Sequence, residues 1–250
     1  MWKSDPVDAG SFFRILFFKM IYKILQEKLN YFFQDEKLLL EALTHSSYAY
    51  EHQEVKAHNE RLEFLGDAVL QLLISAALFE REDLSEGSMT KLRARVVCEP
   101  TLAQLARQLD LQSTLRLGHG ESLTGGAEND SNLANAMEAV LGAIFVDGGY
   151  AAGLRVTTPL FQPYINLAIE GKLIYDHKSH LLETAHKEGF TVHFEIVDQS
   201  GPDHDRRFTA ALYIDGEQVA RATARTKKEA EQGAAAAYLG QNSSDKSSKE

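Results

Sequence analysis

Residues 59–70 read Asn-Glu-Arg-Leu-Glu-Phe-Leu-Gly-Asp-Ala-Val-Leu, a spacing that sets Glu60, Glu63 and Asp67 at i, i+3 and i+7. On a helix these carboxylates share one face, opposite Leu62, Leu65 and Val69. Like charges so placed repel unless something positive sits between them. A solvated acidic helix face is the commoner arrangement, so further observations have to choose between that and a metal site.

One such observation is the run Leu133 to Val146, in which Glu138 is the only charge in a segment apolar on nearly all sides. A helix of that composition is normally buried, and a half-buried Glu138 needs a partner for its charge. Asn135 lies three residues earlier on the same face and adds a hard oxygen. The small residues Ala134, Ala136, Ala139, Gly142 and Ala143 allow another helix to approach closely, which would bring Glu138 and Asn135 to the Glu63 and Asp67 stripe. Oxygen ligands without Cys or His suit Mg²⁺, with Mn²⁺ as a substitute, rather than zinc.

The elements that must position these residues follow from periodicity. Apolar residues recur at 3 and 4 spacing in 36–44, 60–79, 88–96, 100–109, 133–146 and 158–169, with turns at Gly118–Gly126 and Gly148-Gly149. This predicts an all-α domain over residues 21–171, with 117–132 as an ordered loop ahead of the Glu138 helix. After Gly171 the texture changes. A helical stretch at 177–187 is followed by alternating segments at 191–197, 207–214 and 218–223, then by a helix at 227–238. Residues 172–240 therefore read as a small α+β domain of order α-β-β-β-α, with turns at Gly201–His204 and Asp215-Gly216. The Ser- and Lys-rich tail 241–250 reads as disordered.

The last helix carries a second chemical signal. Thr226 followed by Glu229 is a capping box, yet Lys227 and Lys228 fill the first turn, where the helix dipole already attracts anions. A shared anion such as a phosphate backbone would justify cations there, although surface lysines are often simply solvated.

Composition bounds the reading. The chain has 250 residues and a formal charge of −10, an awkward balance for a nucleic-acid binder. The acid is uneven: up to Gly171 there are 23 acidic and 15 basic residues, and beyond it 13 and 11, so the excess lies in the helical part. A single cysteine, Cys98, excludes an internal disulfide and fits a reducing cytoplasm. No stretch reads as long and apolar enough to span a bilayer, and no stable membrane partner is expected. Residues 11–25, interrupted by Arg14, Lys19 and Lys23, read as an amphipathic packing helix rather than a signal peptide.

Residues 59–70 resemble the signature segment of the ribonuclease III family. The likeness continues through Leu43–Ala49, Glu86-Gly87 before 90–97, Leu115–Gly118 with Gly125-Gly126, and Asn132–Asp147, in the family's order. The later domain resembles a double-stranded RNA-binding domain at Lys178–Glu183, Gly201–His204 and Thr226–Glu231. The resemblance implies an Mg²⁺-dependent endoribonuclease that hydrolyses double-stranded RNA in rRNA and mRNA processing, leaving 5′-phosphate and 3′-hydroxyl ends. It implies a homodimer, for which Phe64 is either an interface aromatic or a core residue.

Carried over residue by residue, Glu63, Asn135, Asp67 and Glu138 would hold metal, and Asp67 and Glu138 would be tied most directly to catalysis. Glu60 and Glu86 would line the same cleft. Lys227 and Lys228 would meet phosphate, Pro202 and His204 one minor groove, and Ser179, Leu182 and Glu183 another. Asn135 stands where the family usually has aspartate, and Leu182 where it commonly has glutamine. The first departure leaves open a double-stranded RNA-binding protein that does not cut.

Overall fold

The computed structural model describes residues 20–202 and 206–246, the side chains of 241–246 excepted. The first nine residues of the amphipathic stretch at 11–25, His204 and the end of the tail lie outside them. The chain divides into two compact units, Met1–Leu173 and Ile174–Glu250.

The first unit is helical: α1 (20–29), α2 (Glu36–Ala42), α3 (Ser46–Glu51), α4 (Glu60–Phe79), α5 (Glu86–Val96), α6 (Glu99–Leu109), α7 (His119–Leu123) and α8 (Asp130–Ile169). Starts are set by local side chains. Asp35 accepts from the Lys37 amide, Ser85 from Ser88, and Asn129 from Ser131 and Asn132, each satisfying N–H groups that a first turn leaves free. The core forms where α4 and α6 pack on α8, with Leu70, Leu73 and Ile74 of α4, Leu133, Met137, Val140 and Ile144 of α8, and Leu102 and Leu105 of α6 all buried. Because the first half of α8 is apolar all round, it can be covered on several sides, and it sits at the centre of this unit.

Helix α8 is interrupted where the sequence places the Gly148-Gly149 turn. Gly149 adopts φ 70°, ψ −168°, a conformation open to glycine. The residue before the pair is tied down: Asp147 accepts from the Tyr31 hydroxyl at 2.6 Å and from the amides of Gln34 at 2.9 Å and Asp35 at 3.0 Å. The expected loop at 117–132 contains α7 and a 3₁₀ turn, Gly126–Glu128, held by Asn132 donating to Glu121 at 2.7 Å and to the Gly126 carbonyl at 3.0 Å. Helices α3 and α7 are too short to leave a periodic signal in the sequence.

The expectation that no stretch could span a bilayer needs correction. Both α4 and α8 are long enough, with windows of mean hydropathy 1.7 and 1.3. Part of that apolar surface packs α4 against α8, so composition alone does not distinguish a core pair from spanning helices.

The second unit has the expected order: α9 (His177–Glu188), β1 (Val192–Ser200), β2 (Arg207–Ile214), β3 (Glu217–Ala224) and α10 (Lys227–Lys246). The sheet is antiparallel in the order β1-β2-β3, with Phe194 opposite Leu212 and Leu212 opposite Ala220. Leu181, Leu212, Ala220, Ala234 and Ala235 form its core, closed by Phe190, Val192 and Phe194. Asp215 and Gly216 both take positive φ in the β2–β3 turn, the pairing that a tight hairpin requires. Helix α10 runs to Lys246, beyond Tyr238 where the sequence pattern ends it.

Candidate active site and nucleic-acid interface

The first site is made by a close helix crossing. A Cβ placed on Gly66 of α4 would collide with the carbonyl oxygen of Glu138, and one on Gly142 of α8 with the carbonyl oxygen of Leu62. Two glycines thus let the backbones meet and carry Glu138 to the Glu63 and Asp67 side of α4. All three carboxylates are half-buried.

Their electrostatics follow from that placement. Burial, then the charge of Asp67, then that of Glu63 push Glu138 up to about 7. Burial and neighbouring Glu60 push Glu63 above the usual carboxylate range. Glu60 itself is exposed at the start of α4, and Asn135 is half-buried one turn before Glu138. Asp67 is engaged on its own helix: the Gln71 side-chain amide donates to both of its oxygens at 3.0 Å.

The three acids are near enough to act on one another. Even so, among the described residues no group of three His, Cys, Asp or Glu side chains closes to chelating distance. The donor set fits a hard dication, being all oxygen and carrying mutual repulsion that a cation would relieve.

Glu86 is carried by the next helix. It opens α5, lies within 3.5 Å of the Thr90 hydroxyl, and lines a groove of about 500 Å³ between α4 and α5 with Leu72, Phe79, Met89 and Arg93. The groove borders an apolar strip on the outer side of α4, where Phe64 is 82% exposed, Leu72 53% and Phe79 76%. Phe64 therefore takes no part in the core of this chain. Arg93 of α5 donates to Ser75 at 2.8 Å, and Ser75 donates to the Gln71 carbonyl at 2.6 Å, which joins the groove to the helix that bears the acids.

In the second unit Ser179, Leu182 and Glu183 share the exposed face of α9, with Leu182 42% exposed. The Ser179 hydroxyl donates to Asp176 at 2.8 Å. Pro202 is exposed between β1 and β2. Lys227 and Lys228 are exposed at the start of α10, and the capping box is formed: Glu229 donates its amide to Thr226 Oγ1 at 3.1 Å, and Thr226 donates to Glu229 Oε2 at 3.2 Å. The Lys227 ammonium lies 5.8 Å from the centre of the Phe208 ring.

A family model described as ribonuclease-III-like matches residues 35–163, and one described as the double-stranded RNA binding motif matches 177–241. The enzyme named ribonuclease 3 in Caldanaerobacter subterraneus subsp. tengcongensis is 47% identical over 213 residues, spanning 84% of this chain and 93% of its own. This chain belongs to the ribonuclease III family. Ribonuclease 3 of Bacillus cereus is 42% identical over 228 residues, covering 89% of this chain and 91% of its own. The nuclease domain of ribonuclease III from Campylobacter jejuni, a structure concerned with flexibility in a region involved in dimer formation, superposes with a TM-score of 0.53 at 37% identity. It covers 56% of this chain and 96% of the solved one.

Within this ribonuclease III-family chain, the sequence reading passed over two polar groups of residues. Gln71 continues the stripe of Glu60, Glu63 and Asp67 by one more turn, so its position was legible. The other group ties α9 to α10. Gln232 donates to Asp176 at 2.6 Å and accepts from the Lys178 amide at 3.0 Å, and Lys178 pairs with Glu231 at 2.6 Å. More than fifty residues separate these partners, and nothing local in the sequence marks them.

Proposed function

We propose that this chain hydrolyses phosphodiester bonds in double-stranded RNA, with Glu63, Asp67, Asn135 and Glu138 holding Mg²⁺, or Mn²⁺ in its place, and the second unit gripping the duplex. The observation that carries this reading is Glu138: a half-buried carboxylate raised to about 7 beside two others is poised for a cation. When bound there, the ion supplies charge neutralisation at the scissile phosphate and a lowered pKa for an attacking water.

The chain's own residues divide the remaining work. Glu63 and the Asn135 side-chain oxygen would hold the ion together with Asp67 and Glu138, the two residues tied most directly to catalysis. Gln71 restrains the Asp67 carboxylate. Products with 5′-phosphate and 3′-hydroxyl ends follow if water attacks phosphorus and the ribose 3′-oxygen leaves. Lys227 and Lys228 meet phosphates across the major groove, and Pro202 with His204, and Ser179, Leu182 and Glu183, approach the flanking minor grooves. Glu60 and Glu86 line the same cleft at its edge.

The chain works as a homodimer. The exposed strip of Phe64, Leu72 and Phe79, beside a groove lined by Met89 and Arg93, offers a surface that a second copy would cover. A cytoplasmic role in processing ribosomal and messenger RNA suits such an enzyme.

Incubating the protein with a long RNA duplex in Mg²⁺ and in EDTA tests the reading. Short duplex products in Mg²⁺ alone are expected. A mobility shift without cleavage at every metal concentration would identify a non-cutting binder instead.

A further inference from the structure

Two helices of the second unit present their N-terminal turns to solvent together, and one side chain joins them. Gln232, in the second turn of α10, uses both ends of its amide on the start of α9: its nitrogen donates to Asp176 at 2.6 Å, and its oxygen accepts from the Lys178 amide at 3.0 Å. Asp176 is the N-cap of α9, accepting from the Ser179 amide at 3.0 Å and hydroxyl at 2.8 Å. Next to this pair the Lys178 ammonium bonds Glu231 at 2.6 Å and lies 5.0 Å from the Phe194 ring centre. The charge of Lys228 also reaches Asp176.

A glutamine amide that bonds in two directions at once fixes both distance and orientation between the elements it bridges. A lone surface pair would do neither, since its partners can swing without loss. Here the bridged elements are those that bear Ser179, Leu182 and Glu183 on one side and Lys227 and Lys228 on the other. The separation of those two groups has to match the separation of a minor groove from the neighbouring phosphates.

We propose that Gln232 is a positioning residue for duplex recognition: by clamping Asp176 and Lys178 it holds α9 and α10 in the register that lets one duplex meet both at once. The proposal rests on the reading of these helices as RNA-facing. Gln232 touches no nucleic acid itself. Its effect is to make the second contact intramolecular once the first has formed, so loss of the clamp removes the coupling and leaves each contact intact.

The test uses the full-length chain in EDTA and two RNA ligands. One is a duplex of about 20 base pairs, longer than the roughly 16 such a domain spans, and the other is a hairpin-closed stem of about 4, too short to offer a minor groove and the neighbouring phosphates together. Wild type should prefer the longer ligand strongly. In Gln232→Leu, which removes both hydrogen bonds, long-duplex affinity should fall by about tenfold or more while short-stem affinity stays within about twofold. Gln232→Glu keeps the acceptor for Lys178 but sets a carboxylate against Asp176, and should fall between the two; it serves alone if the leucine variant does not fold. A long-to-short affinity ratio equal to that of wild type in the folded variants overturns the proposal. Wild type without any length preference would instead sink the RNA-facing reading itself.

Discussion

Gly66 of α4 lies so close to Glu138 of α8 that a single methyl at Gly66 would strike the Glu138 carbonyl oxygen. The obstacle is main chain, which cannot rotate aside as a side chain can. Gly66→Ala should therefore cost roughly 3 kcal/mol, the upper end of ordinary overpacking, because two helices must separate. Urea denaturation of the variant measures this. Cleavage should fall further than stability predicts, since the same separation carries Glu138 away from Asp67.

Removing the charge of Glu138 should trade function for stability. Its raised value of about 7 means the folded state holds the proton more tightly than the unfolded chain does. The metal-free fold is then least affected below the ordinary carboxylate range, loses stability as pH rises toward 7, and carries the full penalty above it. Glu138→Gln should abolish cleavage, retain duplex binding, and melt higher than wild type in EDTA at pH 8, with the difference vanishing near pH 4. Mg²⁺-dependent cleavage by this variant would remove Glu138 from the site.

Asn135 keeps an oxygen for a cation but lacks a charge. Asn135→Asp should lower the Mg²⁺ concentration for half-maximal cleavage severalfold, with little change at saturating metal. A metal titration of initial rates reads this directly, and identical curves for the two proteins would show that Asn135 is not a ligand.

Lys227→Ala combined with Lys228→Ala should weaken binding to any duplex sequence. The slope of log affinity against log salt should flatten by roughly one unit per lost phosphate contact. An unchanged slope would mean the two lysines are only solvated.

Phe64 is 82% exposed on a helix whose other aromatic, Phe79, is 76% exposed. Phe64→Asp should leave the fold of one chain intact, by circular dichroism, and shift the solution mass measured by light scattering from dimer toward monomer. A variant of unchanged mass would place the interface elsewhere.

The sequence by itself determined whatever depends on neighbours along the chain. The stripe of Glu60, Glu63 and Asp67 follows from helical spacing, the start of α10 from Thr226 and Glu229, and the β2–β3 turn from Asp215-Gly216, because each is fixed within one or two turns of backbone. Tertiary structure decided the rest. Asp67 and Glu138 are 71 residues apart and interact only because Gly66 and Gly142 allow their helices to touch. Glu86 lines the α4–α5 groove with Met89 and Arg93, a setting that its spacing in the sequence does not give. The apolar composition of α4 and α8 suits a bilayer as well as a core, and it is the folded chain that packs the two helices on each other. Gln232 likewise has no sequence mark for its bonds to Asp176 and Lys178, since a polar side chain's distant partner is chosen by how whole elements pack and not by the residues beside it.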